Sequence, residues 1–98
     1  MPMGNELQVM GLNIAICDDE KVIREQIKEL AEKEMPCVCA GLYETGDALL
    51  AAGKQFDIVF LDIQMEGTDG IETAKRLRQR DEDTILIFIT GIREYVFE

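Results

Sequence analysis

Four short apolar runs, separated by stretches of helical period, constrain this chain more than any other feature. They are LNIAIC (Leu12–Cys17), CVCAGLY (Cys37–Tyr43), DIVFLD (residues 57–62) and TILIFIT (residues 84–90). Runs this short with little polar interruption fit strands buried on both faces, the habit of parallel sheets. Between them the period changes. In residues 20–34, Ile23, Ile27, Leu30 and Ala31 recur at spacings of three and four, which predicts one apolar helix face. Residues 46–52 predict a short helix capped by Thr45 and ended by Gly53. Gly70–Arg80 predicts a third, with Asp69 as cap and Ile71, Ala74 and Leu77 as its buried stripe. Asp18-Asp19 offers a cap for the first helix and Pro36 a stop, while residues 63–68 read as a loop. Strand–helix alternation of this regularity implies α/β architecture: a doubly wound parallel sheet, joined by right-handed crossovers, with the first strand central. Residues 1–11 show no period and read as a flexible leader, and residues 91–98 begin an element the sequence does not finish.

Acidic residues stand where such a sheet would place a site. Asp18 and Asp19 follow the first run and Asp62 closes the third. Were those runs neighbouring parallel strands, all three carboxylates would meet at the rim where open α/β sheets bind ligands. Carboxylates brought together repel and raise one another's pKa. A hard divalent cation such as Mg²⁺ relieves that conflict and suits the cluster to phosphate chemistry. Taken singly, each residue has a plainer account: Asp19 or Asp69 as a helix cap, Asp62 as a strand end, Thr90 as a β-branched strand residue. Their joint placement is what points to an acidic phosphoacceptor pocket.

Composition narrows the remaining choices. With 20 acidic and 10 basic residues the net charge is −10, which disfavours direct contact of this segment with nucleic acid or anionic lipid. The 98 residues contain no histidine, which excludes Ser-His-Asp and Cys-His catalysis and any histidine-bearing zinc site. Cys17, Cys37 and Cys39 lack a fourth ligand and read as buried free thiols of a reducing compartment. The first basic residue is Lys21, so no cationic signal segment leads the chain, and no apolar stretch approaches the ~20 residues of a membrane span. The expected location is cytoplasmic. No G-x-G-x-x-G follows the first strand, and the adjacent acids differ from the D-x-D of aspartyl phosphatases.

The acid pair in CDDE, the block FLDIQMEGTDG around Asp62 and the TG ending the fourth run occur in the order and spacing of a response-regulator receiver domain, which residues 12–98 resemble. The closing GIREYVFE is most similar to receivers that precede LytTR-type DNA-binding domains. The resemblance implies a flavodoxin-like sheet of strand order 2-1-3-4 with the fifth strand and last helix missing. It implies Asp62 as the phosphoacceptor, and Mg²⁺ held by Asp18, Asp19, Asp62 and the backbone carbonyl of Gln64. Thr90 would sense the phosphoryl group, Gly91 would leave room beside it, and a sensor histidine kinase would be the donor. Enzymatic turnover is expected to go no further than self-phosphorylation and slow self-dephosphorylation. Met65 and Gly67 fall in the loop beside the site, where Gly67 is expected to supply a turn of positive φ.

The pattern departs from the family in two places. The lysine that ends the family's fifth strand has no counterpart among Lys21, Lys28, Lys33, Lys54 and Lys75, and Arg93 is the candidate substitute cation. Glu66 stands where the family usually has proline. As a consequence, the strand from Thr84 to Thr90 is expected at a sheet edge with Ile85, Leu86, Ile87, Phe88 and Ile89 in succession. Such an edge invites self-association, with residues 95–97 joining it. Two functions follow: a phosphorylated switch governing an output such as transcription, or an incomplete receiver that serves only as an interaction and dimerisation module.

Overall fold

The computed structural model describes residues 11–65 and 68–89. The predicted alternation is present as β1 (Leu12–Cys17), α1 (Lys21–Glu34), β2 (Cys37–Tyr43), α2 (Gly46–Ala51), β3 (Ile58–Asp62), β4 (Gln64–Met65), β5 (Thr68–Asp69), α3 (Gly70–Arg80) and β6 (Ile85–Ile89). The main sheet is wholly parallel, in the order β2-β1-β3-β6, so the predicted 2-1-3-4 holds with β6 as its fourth strand. Thr90, Gly91, Arg93, residues 95–97, Glu66, Gly67 and residues 1–10 lie outside the described residues.

Side-chain alternation divides the core between the two faces of the sheet. Ala15, Cys17, Val59 and Leu61 point to one face, where Leu49 of α2 and Ala74 and Leu77 of α3 cover them. Ile14, Ile16 and Ile58 point to the other, against Ala31 of α1. Helices therefore lie on both faces, as a doubly wound sheet requires. No helix among the described residues is long and apolar enough to cross a membrane.

Several local expectations need correction. α1 starts one residue later than predicted and has Glu20 as its N-cap, without a side-chain cap bond. Asp18 does not cap it; instead its Oδ1 accepts the Glu20 N–H at 2.9 Å, a turn that carries the chain away from the strand end. Leu30 is 60% exposed and Ile71 40%, so neither belongs to a buried stripe. Thr73 is buried in α3 instead, its hydroxyl donating to the Asp69 carbonyl at 3.1 Å, which a purely apolar reading misses. Asp57 precedes β3 rather than starting it: its carboxylate accepts the Asn13 N–H at 2.7 Å while its own N–H donates to Asn13 O at 2.8 Å. Thr84 likewise precedes β6, and its buried hydroxyl lies 2.9 Å from Phe56 O and 2.6 Å from Asp81 Oδ2. Within the expected loop of residues 63–68, Gln64 and Met65 form β4 and Thr68 begins β5, and the two pair antiparallel, Gln64 with Asp69 and Met65 with Thr68.

The predicted caps of the other helices are present. Thr45 Oγ1 accepts from Ala48 N at 3.0 Å and Asp69 Oδ1 from Ile71 N at 2.9 Å. Gly53 ends the α2 region with φ of 63°, which glycine adopts at little cost. Of the three thiols, only Cys17 is fully buried; Cys37 and Cys39 are half-buried against the α1 face, and all three are free.

Candidate functional site

Register builds the site. In the parallel pairing of β1 with β3, Cys17 lies opposite Leu61, so Asp18 and Asp62 are the next residues on adjacent strands. They share a parity and leave the sheet side by side. Both are buried, Asp18 at 3% exposure and Asp62 at 8%. Ligand oxygens of Asp18, Asp19 and Glu20 lie within 4.8 Å of one another. Asp62 is not a member of this group; it stands beside it on the neighbouring strand, within the influence of the Asp18 and Asp19 charges.

Electrostatics follow from that crowding. Burial, opposed by the Gln64 N–H, pushes the Asp62 carboxyl up to about 6; the charges of Asp18 and Asp19 add to the rise. Asp18 is raised as well, by burial first, with the Glu20 N–H opposing and the Asp19 and Glu20 charges contributing. Arg24 lowers it, and the Arg24 Nη1 donates to the Asp18 carbonyl at 2.7 Å. Beneath the acids lies Cys17, whose thiol burial drives up to about 12, with Asp18 and Asp62 adding to the effect.

The segment after Asp62 folds back tightly. Gln64 N donates to Asp62 Oδ1 at 3.0 Å, fixing the plane of the carboxyl group. Gly70 N donates to Ile63 O at 3.1 Å, which turns the start of α3 against the end of β3. A Cβ on Gly70 would collide with the Asp62 carbonyl and approach Ile63 Cα to 2.7 Å, so only glycine permits this approach. Ile63 N in turn donates to Ile89 O at 3.2 Å, tying β6 to the site.

Of the residues expected at the site, Asp18, Asp19, Asp62 and Gln64 fall at one rim; Thr90 lies outside the described residues. Two others were missed. Glu20 was legible as the third acid of CDDE, but its turn geometry was not. Arg24 sits six residues from Asp18, and its reach to the Asp18 carbonyl depends on where α1 begins. The donor set is all oxygen and carries concentrated negative charge, which fits a hard cation such as Mg²⁺.

A flavodoxin-like sheet with an acidic cluster at its central rim defines a receiver of two-component signalling. The chain belongs to the response regulator receiver domain family, whose pattern matches residues 14–97. It is 37% identical over 90 residues to the sensory transduction protein LytT of Oceanobacillus iheyensis, covering 88% of this chain and 37% of that protein. Among solved structures it is similar to the REC domain of AraT, a response regulator from Geobacillus stearothermophilus (30% identity, TM-score 0.75, covering 88% of this chain and 69% of that one). It is also similar to the response regulator TrrA of Thermotoga maritima in complex with Mg²⁺ and beryllofluoride (33% identity, TM-score 0.70, covering 83% and 70%). The chain thus spans little more than a third of the length of the curated relative. Receiver domains bind Mg²⁺ at an acidic pocket, partner with histidine kinases and perform no chemistry beyond self-phosphotransfer.

Proposed function

We propose that Asp62 is the phosphoacceptor of this receiver and that Asp18, Asp19 and the Gln64 carbonyl hold Mg²⁺ beside it, with Glu20 close by. The observation that carries this reading is the Asp62 carboxyl itself: buried, raised to about 6 and set against Asp18. A carboxyl raised first by burial and further by neighbouring acids is costly to ionise where it stands; a cation held beside it would favour the ionised, nucleophilic form. Bound Mg²⁺ supplies positive charge that keeps the carboxylates ionised and offsets charge on the phosphoryl oxygens.

The residues divide the remaining work. The Gln64 N–H orients the Asp62 carboxylate. A carboxylate oxygen of Asp62 then attacks phosphorus, forming an O–P bond as the P–N bond of a kinase phosphohistidine breaks and its electron pair returns to the imidazole. Thr90, which follows β6 by one residue, is proposed as the hydroxyl that senses the product. Cytoplasmic residence and a transcriptional output, the latter suggested by the likeness of GIREYVFE to LytTR-linked receivers, belong to the same proposal. So does the division into a leader (residues 1–11) and a receiver body (residues 12–98).

Incubation with acetyl phosphate is the direct test. Mg²⁺-dependent gain of one phosphoryl group, mapped by mass spectrometry to Asp62, is expected. Absence of any Mg²⁺-dependent adduct with acetyl phosphate or beryllofluoride would defeat the reading.

A second reading, an interaction module, has its own observation. β6 pairs only with β3 among the described residues, and Ile85 and Phe88, on opposite faces of the strand, are 56% and 42% exposed. Self-association through this edge is expected to appear as a rise in mass with concentration in light scattering, and a monomer throughout would remove it.

A further inference from the structure

The sulfur of Cys17 meets the sulfur of Met65 across 48 positions of sequence: Cys17 Sγ donates to Met65 Sδ at 3.5 Å, and both side chains are buried. What makes this contact informative is which residues flank it. Cys17 directly precedes Asp18, and Met65 directly follows Gln64. The sulfur pair therefore joins the two halves of the acidic site from below, the half built on the end of β1 and the half built on β4.

The strand of two residues that carries Gln64 lies outside the main sheet. Among the described residues β4 pairs with β5 alone, itself two residues long, in a sheet separate from that of β1 and β3. Gln64 itself is exposed. Its position rests on the N–H bond to Asp62, on the pairing with Asp69 and on the burial of its neighbour, Met65. An aliphatic side chain at 65 would fill the same space but would accept no hydrogen bond, and an aliphatic residue at 17 would donate none. Cysteine against methionine adds direction to what would otherwise be apolar packing.

We propose that Cys17 is a positioning residue for the receiver site: its thiol, donated to Met65 Sδ, locks β4 against the end of β1 and so sets the Gln64 peptide relative to Asp18 and Asp62. The proposal rests on the phosphoacceptor reading for its consequence in Mg²⁺ binding, though the tether itself is independent of any metal. Weakening it leaves Asp18, Asp19 and Asp62 in place and loosens only the Gln64 side of the cation's surroundings. The expected result is weaker Mg²⁺ binding with the same end point once Mg²⁺ saturates.

The test uses Cys17→Ala, Met65→Leu and the double variant, the leucine keeping volume and apolarity while removing the acceptor. The Mg²⁺ concentration that half-saturates acetyl-phosphate labelling is expected to rise about tenfold in each single variant, as for residues that orient metal ligands. The double variant should rise no further, because both substitutions break one contact. A second readout needs no metal: amide hydrogen exchange at Gln64, compared with Ile16 in the core of β1 to subtract global unfolding. Gln64 exchange is expected to quicken relative to Ile16 equally in all three variants. Met65→Leu matching the wild type in Gln64 exchange, or additive effects in the double variant, would overturn the tether. If the wild type shows no Mg²⁺-dependent labelling, the phosphoacceptor reading fails, and the exchange comparison still decides the tether.

Discussion

Alanine in place of Gly70 is expected to cost about 1–3 kcal/mol of stability and to displace Asp62. The added methyl group would run into the Asp62 carbonyl and sit 2.7 Å from Ile63 Cα and 2.9 Å from Ile63 O. All three are backbone atoms, so no side chain can rotate away to relieve the clash. Either α3 retreats from the strand end or residues 62–63 shift, and in both cases the hydrogen bond from Gly70 N to Ile63 O is lost or stretched. Since Ile63 also donates to Ile89 O, the disturbance reaches β6. Chemical denaturation and acetyl-phosphate labelling of Gly70→Ala should therefore fall together. Gly53→Ala provides the comparison. There φ is 63° and an added Cβ meets only the Ala51 carbonyl at 4.0 Å. That substitution should cost about 1–2 kcal/mol from backbone conformation alone and leave labelling of folded protein intact. Equal labelling by folded Gly70→Ala and wild type would show that the close approach does not position Asp62.

The contrast between these glycines illustrates what the sequence made legible. Gly53 was readable because a helix stop is a local event, encoded by the residue and its neighbours. Gly70 was readable only as the start of a helix, since its close contact is with a strand end brought near by the fold. The same division runs through the site. β1 and β3 announced themselves as apolar runs ending in acids, and parallel pairing followed from their double-sided burial. That reasoning put Asp18 and Asp62 at one rim without any knowledge of register. The turn at Asp18, by contrast, looks in sequence like a helix cap. Asx turns and N-caps use the same side-chain oxygens on nearby N–H groups, and only the backbone path separates them. Helical period marks a stripe but not its width, so Leu30 and Ile71 fall on the apolar faces by spacing and yet are exposed. Thr73 was overlooked for the complementary reason: its hydroxyl is satisfied by its own helix, so it packs as an apolar residue would. The Cys17–Met65 contact, spanning 48 positions, had no local signal at all.

Asp62→Asn is expected to change the pH dependence of stability in a direction opposite to that of an ordinary salt-bridged carboxylate. The folded Asp62 titrates near 6, against an ordinary value of 3.8. Between those limits the folded chain holds more protons than the unfolded chain, so the contribution of this group to stability is complete below about pH 4 and is lost as pH rises through about 6. Asp18, also raised, acts in the same direction, and the two titrate as a coupled pair. Many other carboxylates titrate over this range, so the informative quantity is the difference between wild type and Asp62→Asn, in which shared titrations cancel. Without metal, the variant should gain stability relative to the wild type as pH rises from 4 to 7, because the asparagine avoids burying a charge at that position and adds none beside Asp18. Mg²⁺ should reverse the order. A cation that binds only the folded state adds about 2.7 kcal/mol at a hundred times its dissociation constant, and it favours the ionised carboxylates that burial penalises. The variant, having lost one of those charges, should gain less from the same Mg²⁺ concentration. Thermal melts of both proteins at pH 4, 6 and 7.5, with and without Mg²⁺, check each step. A wild type that gains stability relative to Asp62→Asn between pH 4 and 6 without metal would contradict the raised carboxyl. Equal stabilisation of the two by Mg²⁺ at pH 7.5 would instead remove Asp62 from the cation's surroundings.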